Sequence, residues 1–342
     1  MIDRAGGTTM SITRLARRCL LVATTALIGA AALSACAQNA PSSSTGGGSG
    51  GQFVVGYSQS NNAEPYRAQL NLQLAYFIKK YPDLKLLPIT DAHQDSATQV
   101  SQVQNFIQQH VNVLIVSPNE PGPLTAPVQQ ACTAGIPVII LDRTVNTNCE
   151  TAFIGGDNYN IGKLAGEAAV KALPNGGTVA ELQGILSDQP QIDRDKGVRD
   201  GIAGHNINVV LNQEDKWLRT DATTTMQQWL STGQHIDLVY GQNDEMALGA
   251  YNAAAGAGKA SQIKFIGTDG LAIPTGGIRA VQLGQLYTTF VYPTCAQQAA
   301  DAAEAIVNKK PVQKKTTLET TQVTKDNAQQ LYTKFQSEAG GS

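Results

Sequence analysis

Charge is scarce in this chain. Only 15% of its 342 residues are Asp, Glu, Lys or Arg. Beyond the first 35 residues no cluster of Lys and Arg is dense enough to follow a phosphate backbone, so a nucleic-acid partner is disfavoured. Aromatic residues make up 6% and histidine holds four scattered positions. No Cys-x-x-Cys pair or Cys/His spacing occurs, so neither a metal site nor a cofactor is expected. No Gly-x-Ser-x-Gly elbow or activated cysteine stands out. Gly155-Gly156-Asp157-Asn158 lacks the dinucleotide fingerprint and is followed by no phosphate-loop Lys-Ser/Thr, and it reads as a crossover turn between domains. What is plentiful is apolar surface, at 42%, and glycine, at 33 residues. That balance is the opposite of a disordered chain and supports a large buried core.

The amino terminus has the layout of an export signal. Arg14, Arg17 and Arg18 form a basic segment, and Cys19 to Ala32 is almost wholly apolar yet too short to span a bilayer comfortably. Leu33-Ser34-Ala35-Cys36 then looks like a lipobox, in which Cys36 takes the lipid and becomes the first mature residue. Residues 1–35 are the signal, with translation starting at Met1 or Met10. Residues 36–51 are the lipidated cysteine and a flexible Ser/Gly/Thr/Asn/Pro tether. About 290 residues remain to fold, enough for one large or two medium domains. Of the later cysteines, Cys132 and Cys149 are either a disulfide or two buried thiols, and Cys295 is expected to be buried in a helix.

Along the body, short apolar runs alternate with helical periodicity. Strands are expected at Phe53–Tyr57, Val111–Val116, Pro137–Leu141, Ala152–Ile154, Thr178–Leu182, Ile207–Leu211, Ile236–Tyr240, Ile263–Gly267 and Tyr287–Val291. Between them, Tyr66, Leu70, Leu74, Phe77 and Ile78 share one helix face. Trp229 shares another with Met226 and Leu230, as a core residue would. The alternation predicts parallel sheets covered by helices on both faces, and about ten strands suit two lobes better than one sheet. Ligands of open α/β sheets sit at the carboxyl ends of the strands. The residues there form a consistent set: Ser58 to Asn62, Ser117-Pro118-Asn119, Asp142-Arg143, Gln183, Trp217, Gln242-Asn243-Asp244 and Thr268-Asp269-Gly270. Planar hydrogen-bonding groups with flat aromatics are what a polyhydroxylated ring needs.

Four motifs in order make the chain resemble a known family. They are Ile136-Pro137-Val138-Ile139-Ile140-Leu141-Asp142-Arg143, Glu181-Leu182-Gln183-Gly184, Gln242 through Ala250, and Gly267-Thr268-Asp269-Gly270. From Phe53 to about Phe335 the sequence resembles ribose- and galactofuranose-type periplasmic sugar-binding proteins, relatives of the lac-repressor ligand domain. The resemblance implies a type I periplasmic binding protein fold: two Rossmann-like, doubly wound parallel-sheet lobes joined by three crossovers. The amino-terminal lobe would take residues 52–156 plus 293–321, and the carboxyl-terminal lobe 157–292 plus 322–336. It implies a monomer that hands a sugar or polyol to an ABC transporter permease from a lipid anchor on the membrane.

Residue by residue, the resemblance makes Asp142 and Arg143 the pair that grips ring hydroxyls and Arg194 a second gripping arginine. Trp217 becomes a stacking aromatic, and Asn243 and Asp269 hydroxyl ligands. Tyr66 and Arg67 match an aromatic–arginine pair, with Tyr66 and Trp217 expected on opposite faces of the ring. The chain departs from the ribose pattern at Glu64 and Tyr66, where paired phenylalanines are usual. It departs again at Ser117 (for asparagine), Thr268 (for an aromatic) and Tyr292 (for glutamine). These changes predict a more polar pocket than ribose needs. Each residue also has a plainer reading. Asn243 and Asp244 could cap the helix that follows, Asp142 could sit in a loop, and Trp217 could belong to the core. Two rival functions are a sugar sensor for a membrane receptor or histidine kinase and a carbohydrate-active enzyme with two carboxylates across a cleft.

Overall fold

The computed structural model describes residues 51–338. The signal, the lipobox with Cys36 and most of the tether lie outside the described residues. Two parallel sheets organise the rest. The first contains β1 (Phe53–Gln59), β2 (Leu84–Leu86), β3 (Thr90–Asp91), β4 (Val113–Ser117), β5 (Val138–Leu141), β6 (Ala152–Gly156) and β12 (Lys315–Leu318). Its order is β12-β6-β5-β4-β1-β2, with β3 also paired to β1. The second, in the order β10-β9-β7-β8, contains β7 (Gly177–Gln183), β8 (Ile207–Glu214), β9 (Leu238–Gly241) and β10 (Lys264–Ile266). A short antiparallel pair, β11 (Thr289–Phe290) with β13 (Gln322–Val323), adjoins it through bridges from Ile266 to Thr288 and Asp269 to Val291.

The strands are apolar on both faces because helices cover both. In β4, Val113 and Ile115 pack with Leu70 and Leu74 of α1 (Pro65–Ile78) and Ala299 and Ala303 of α9 (Ala296–Val307). The alternate residues Leu114 and Val116 pack with Val103 and Phe106 of α2 (Ser96–Gln108) and Val128 of α3 (Pro121–Thr133). A residue-by-residue alternation between two cores is the signature of a buried parallel strand. Residue 117 falls on the α1 side by the same count. On the second sheet, Val179 meets α4 (Asn158–Ala172) and α5 (Gln189–Ile202), while Ala180 and Leu182 meet α6 (Arg219–Ser231) and α7 (Asp244–Gly256).

Two features fix the later site. Helices α4 and α5 touch backbone to backbone. A Cβ on Gly162, Gly166, Gly197 or Gly201 would run into the opposite helix, at Arg194, Val198, Tyr159 and Lys163 respectively. This close crossing brings Asn158 beside Arg194. The chain also passes between the sheets three times, at Gly156–Asn158, Tyr292–Cys295 and Leu318–Gln322. At the first, Asp157 caps α4 by accepting from the Asn160 N–H at 3.0 Å.

Cys132 and Cys149 form a disulfide with Cα atoms 6.1 Å apart, tying the end of α3 to the loop before β6. Cys295 is buried, but not inside a helix. It stands at the N-cap of α9 with a left-handed φ of 64°, where the chain bends out of its crossover.

Candidate ligand-binding cleft

Ten of the eleven residues singled out in the sequence line one cavity, together with Pro190. Glu64, Tyr66 and Arg67 reach it from the start of α1, and Asp142 and Arg143 from the end of β5. Arg194 comes from α5, Trp217 from the loop before α6, Asn243 from the end of β9, and Asp269 from the loop after β10. Tyr292 comes from the second crossover. Both sheets therefore supply walls. Ser117 is the eleventh and stays behind the wall. It is fully buried, accepts a hydrogen bond from Arg67 Nη1 at 2.8 Å and donates to the Leu141 carbonyl. Its place on the α1 face of β4 makes it a support for Arg67. Thr268 is buried and does not line the cavity.

The charged groups interlock. Arg67 Nη2 lies 2.5 Å from Asp142 Oδ2, and Arg143 Nε lies 3.9 Å from the same oxygen. Burial pushes Asp142 up, but Arg67 and then Arg143 outweigh it, with help from the Tyr292 hydroxyl and Arg194, so its pKa falls below the usual carboxylate value. Arg143 also reaches the Asn119 carbonyl at 3.0 Å and Asp188 Oδ2 at 3.1 Å. Arg194 donates to Asn158 Oδ1 at 2.9 Å and to the Gln242 carbonyl at 2.5 Å. Gln242 is held in turn by Glu181 Oε1 at 2.9 Å and the Gly184 N–H at 3.2 Å.

The aromatic groups are arranged around these cations. Arg143 and Arg194 both approach the Trp217 ring, with guanidinium carbons 5.7 and 5.5 Å from its centre. For Trp217 itself: the indole N–H donates to Asp188 Oδ2 at 3.1 Å. Gly184 packs so tightly against the indole that a Cβ there would overlap it. Tyr66 and Tyr292 tilt against each other at 5.4 Å, and Arg194 lies 4.8 Å from the Tyr292 centre. Tyr66 donates to the Pro293 carbonyl at 3.1 Å. Asn243 caps a helix and also stands on the cavity wall. Its Oδ1 caps α7 by accepting from Met246 N at 2.8 Å, its Nδ2 donates to the Trp217 carbonyl at 3.0 Å, and the same residue borders the cavity. Three lining residues, Asp142, Trp217 and Asp269, hold positive φ values of 66°, 71° and 130°. Such strained backbone gathers where the surroundings over-determine a functional geometry.

A match to the family described as periplasmic binding protein domain covers residues 55–313. The chain belongs to this family. The ribose import binding protein of Bacillus subtilis is 31% identical over 291 residues, 82% of this chain and 91% of that protein. Among solved structures, a fructose-binding periplasmic domain of a hybrid two-component system shares 31% identity. Its TM-score is 0.81, covering 84% of this chain and 96% of that one. An ABC transporter solute-binding protein from Bacillus halodurans with bound myo-inositol shares 32% identity, with a TM-score of 0.78 over 83% and 98%. This periplasmic binding protein is thus a binding protein and not an enzyme, with the type I fold of its family and the extracytoplasmic location that the family implies. Among the described residues, no helix is long and apolar enough to cross a membrane.

Two residues in or directly behind the cavity wall were not singled out in the sequence. Pro190 opens α5 and borders the cavity. Asp188, fully buried, stands at the N-cap of α5, yet its side chain makes no cap bond and turns to Arg143 and Trp217 instead. Burial pushes its pKa up to about 6, against the pull of Arg143. In the sequence, Asp188-Gln189-Pro190 reads simply as a helix start.

Proposed function

We propose that this protein is the solute-binding component of an ABC importer and that it captures a sugar, as a hexose or furanose-form aldose, or a polyol in the cleft. The observation that carries this reading is one cavity walled from both sheets by paired guanidiniums and carboxylates around a tryptophan and two tyrosines. Ionised pairs offer bidentate partners to neighbouring hydroxyls, and the rings offer flat surfaces to C–H faces. The ribose, fructose and myo-inositol of the relatives are ligands of that chemistry. The lobes are residues 52–156 with 293–321 and residues 157–292 with 322–336, and the ligand closes one upon the other.

A thermal-shift panel of pentoses, hexoses, furanose-form sugars and polyols tests the reading, because a ligand of the folded form raises the melting temperature. The best ligand should bind at least ~10-fold more tightly than ribose, since a site that pairs each hydroxyl is left with unpaired groups by a smaller sugar. Its saturation should lower the radius of gyration measured by X-ray scattering. Absence of any ligand, ribose as the tightest ligand, or tight binding without compaction would each overturn part of the proposal.

The likeness to a two-component sensor domain supports a second reading, in which the bound sugar is reported to a receptor. Deleting the gene should abolish uptake of the labelled ligand for an importer. A sensor would lose only the transcriptional response.

The anchor belongs to the same proposal. Leu33-Ser34-Ala35-Cys36 after a basic and an apolar segment supports lipidation of Cys36. Cys36→Ala should move the protein out of the membrane fraction or leave it unprocessed. A membrane-bound Cys36→Ala protein of mature size would disprove the anchor.

A further inference from the structure

The charges in the cleft do not balance. Three guanidiniums, Arg67, Arg143 and Arg194, stand in or against it with four carboxylates, Glu64, Asp142, Asp188 and Asp269. Arg67 is taken by Asp142 and Arg143 by Asp188. Arg194 is turned to Asn158 and the Gln242 carbonyl, and among the described residues no carboxylate lies within 4.0 Å of it. Two acids remain. Glu64 is 5% exposed and uses Oε1 to accept from Asn61 Nδ2 at 2.8 Å. Asp269 is 6% exposed, borders the cavity, and its carboxylate accepts from no donor among the described residues.

The backbone leaves Asp269 little freedom to turn away. Its N–H donates to Phe290 O and its carbonyl accepts from Tyr292 N, each at 2.9 Å, with φ at 130°. Burial, and then the neighbouring Asp244 carboxylate, push its pKa well above the usual value, while Arg194 opposes them and Glu64 adds to them. A buried carboxylate in this position needs a positive partner or a proton. Neither Arg67 nor Arg143 is free to provide the charge.

Resting on the reading of the cleft as a sugar or polyol site, we propose that the ligand brings the missing charge: it is an amino sugar or amino polyol whose ammonium group lies between Glu64 and Asp269. An ammonium has three donors and no acceptor, and these two carboxylates offer acceptors only. A hydroxyl could meet one of them while Asp269 keeps a proton, whereas an ammonium also supplies the charge that lets Asp269 ionise. The rest of the ring keeps its hydroxyls for the Arg67–Asp142 and Arg143–Asp188 pairs on the other side.

Calorimetry near pH 6.5 with matched pairs tests this: glucose and glucosamine, galactose and galactosamine, myo-inositol and an amino-inositol. Any neutral ligand found in the panel is paired with its amino counterpart. In the pair that binds best, the amine should bind at least ~10-fold more tightly, the margin of a charge-assisted over a neutral hydrogen bond. Glu64→Gln and Asp269→Asn should each shrink that ratio toward one. If the hydroxyl member binds as tightly as the amine, or if neither variant changes the ratio, the proposal is wrong while the cleft remains a sugar site. If no member of any pair and no sugar or polyol in the panel binds, the reading of the cleft itself is wrong and the inference fails with it.

Discussion

Replacing Asp142 by alanine is expected to weaken ligand binding about 100-fold or more, equivalent to roughly 3 kcal/mol. Asp142 Oδ2 lies 2.5 Å from Arg67 and 3.9 Å from Arg143, and all three side chains are at least 94% buried. Removing one member of such a set leaves its partners charged and desolvated, which costs ~3–5 kcal/mol for a buried pair. Both arginines would then turn toward the nearest remaining oxygens and leave the positions that face the cavity. Alanine also fits poorly at a φ of 66°, where Asp and Asn are tolerated. Asp142→Asn is therefore the companion variant. It keeps the backbone and one acceptor oxygen and removes only the charge, so its loss should be smaller but still at least ~10-fold. Calorimetry gives both affinities, and far-UV circular dichroism shows whether the fold survives. Wild-type affinity in Asp142→Asn would mean that the carboxylate charge has no part in holding the ligand.

How much of this could be read in the sequence depended on periodicity and on side-chain direction. The buried strands β1, β4, β5, β7 and β9 announce themselves because parallel strands covered on both faces are nearly continuous apolar runs. The strands that did not stand out are short, and several are polar: Thr90–Asp91, Lys315–Leu318 and Gln322–Val323. They exist because a neighbouring strand edge receives them, which is tertiary information. The residues following the strands led to the cleft, since open α/β sheets put ligands there. That rule says nothing about which way a side chain points. Ser117 ends β4 as Asp142 follows β5, yet it faces α1 and serves Arg67 from behind. The opposite error concerns Asp188. It lies five residues beyond the end of β7, in a segment whose pattern spells a helix cap, and its partner Arg143 is 45 positions away. Trp217 reads in the sequence as stacking on the ligand, with the core as the plainer reading, and it belongs to the core cluster while also lining the cavity. Its ring packs with the core of the second sheet while Arg143 and Arg194 approach it from the cleft.

Asp188 leads to the second large effect. Its carboxylate belongs to the segment before α5, on the second sheet, and it grips Arg143 from the first. Two contacts at the rim span the same divide, Gln94 Nε2 to the Lys216 carbonyl at 3.2 Å and Ser187 Oγ to Glu120 Oε2 at 3.3 Å. Both are exposed, so they should add little. The Arg143–Asp188 pair is different, because both side chains are at least 98% buried and the Trp217 N–H shares Asp188 Oδ2. If the lobes open as a clamp, this pair separates on opening and is rebuilt on closing, so it should favour the closed form that holds the ligand. Asp188→Ala should weaken ligand binding roughly 30- to 100-fold. That is somewhat below the full ~3–5 kcal/mol of a broken buried pair, because Asp142 and the Asn119 carbonyl still face Arg143. The loss should appear mainly as faster dissociation, as is usual for a buried interfacial pair. Asp188→Asn separates the two tasks of the side chain. It still offers an oxygen to the Trp217 N–H but cannot pair its charge with Arg143. An affinity for Asp188→Asn close to that of Asp188→Ala would assign the effect to the ion pair between the sheets. An affinity close to wild type would assign it to the orientation of the indole, and the pair would then have no part in closure.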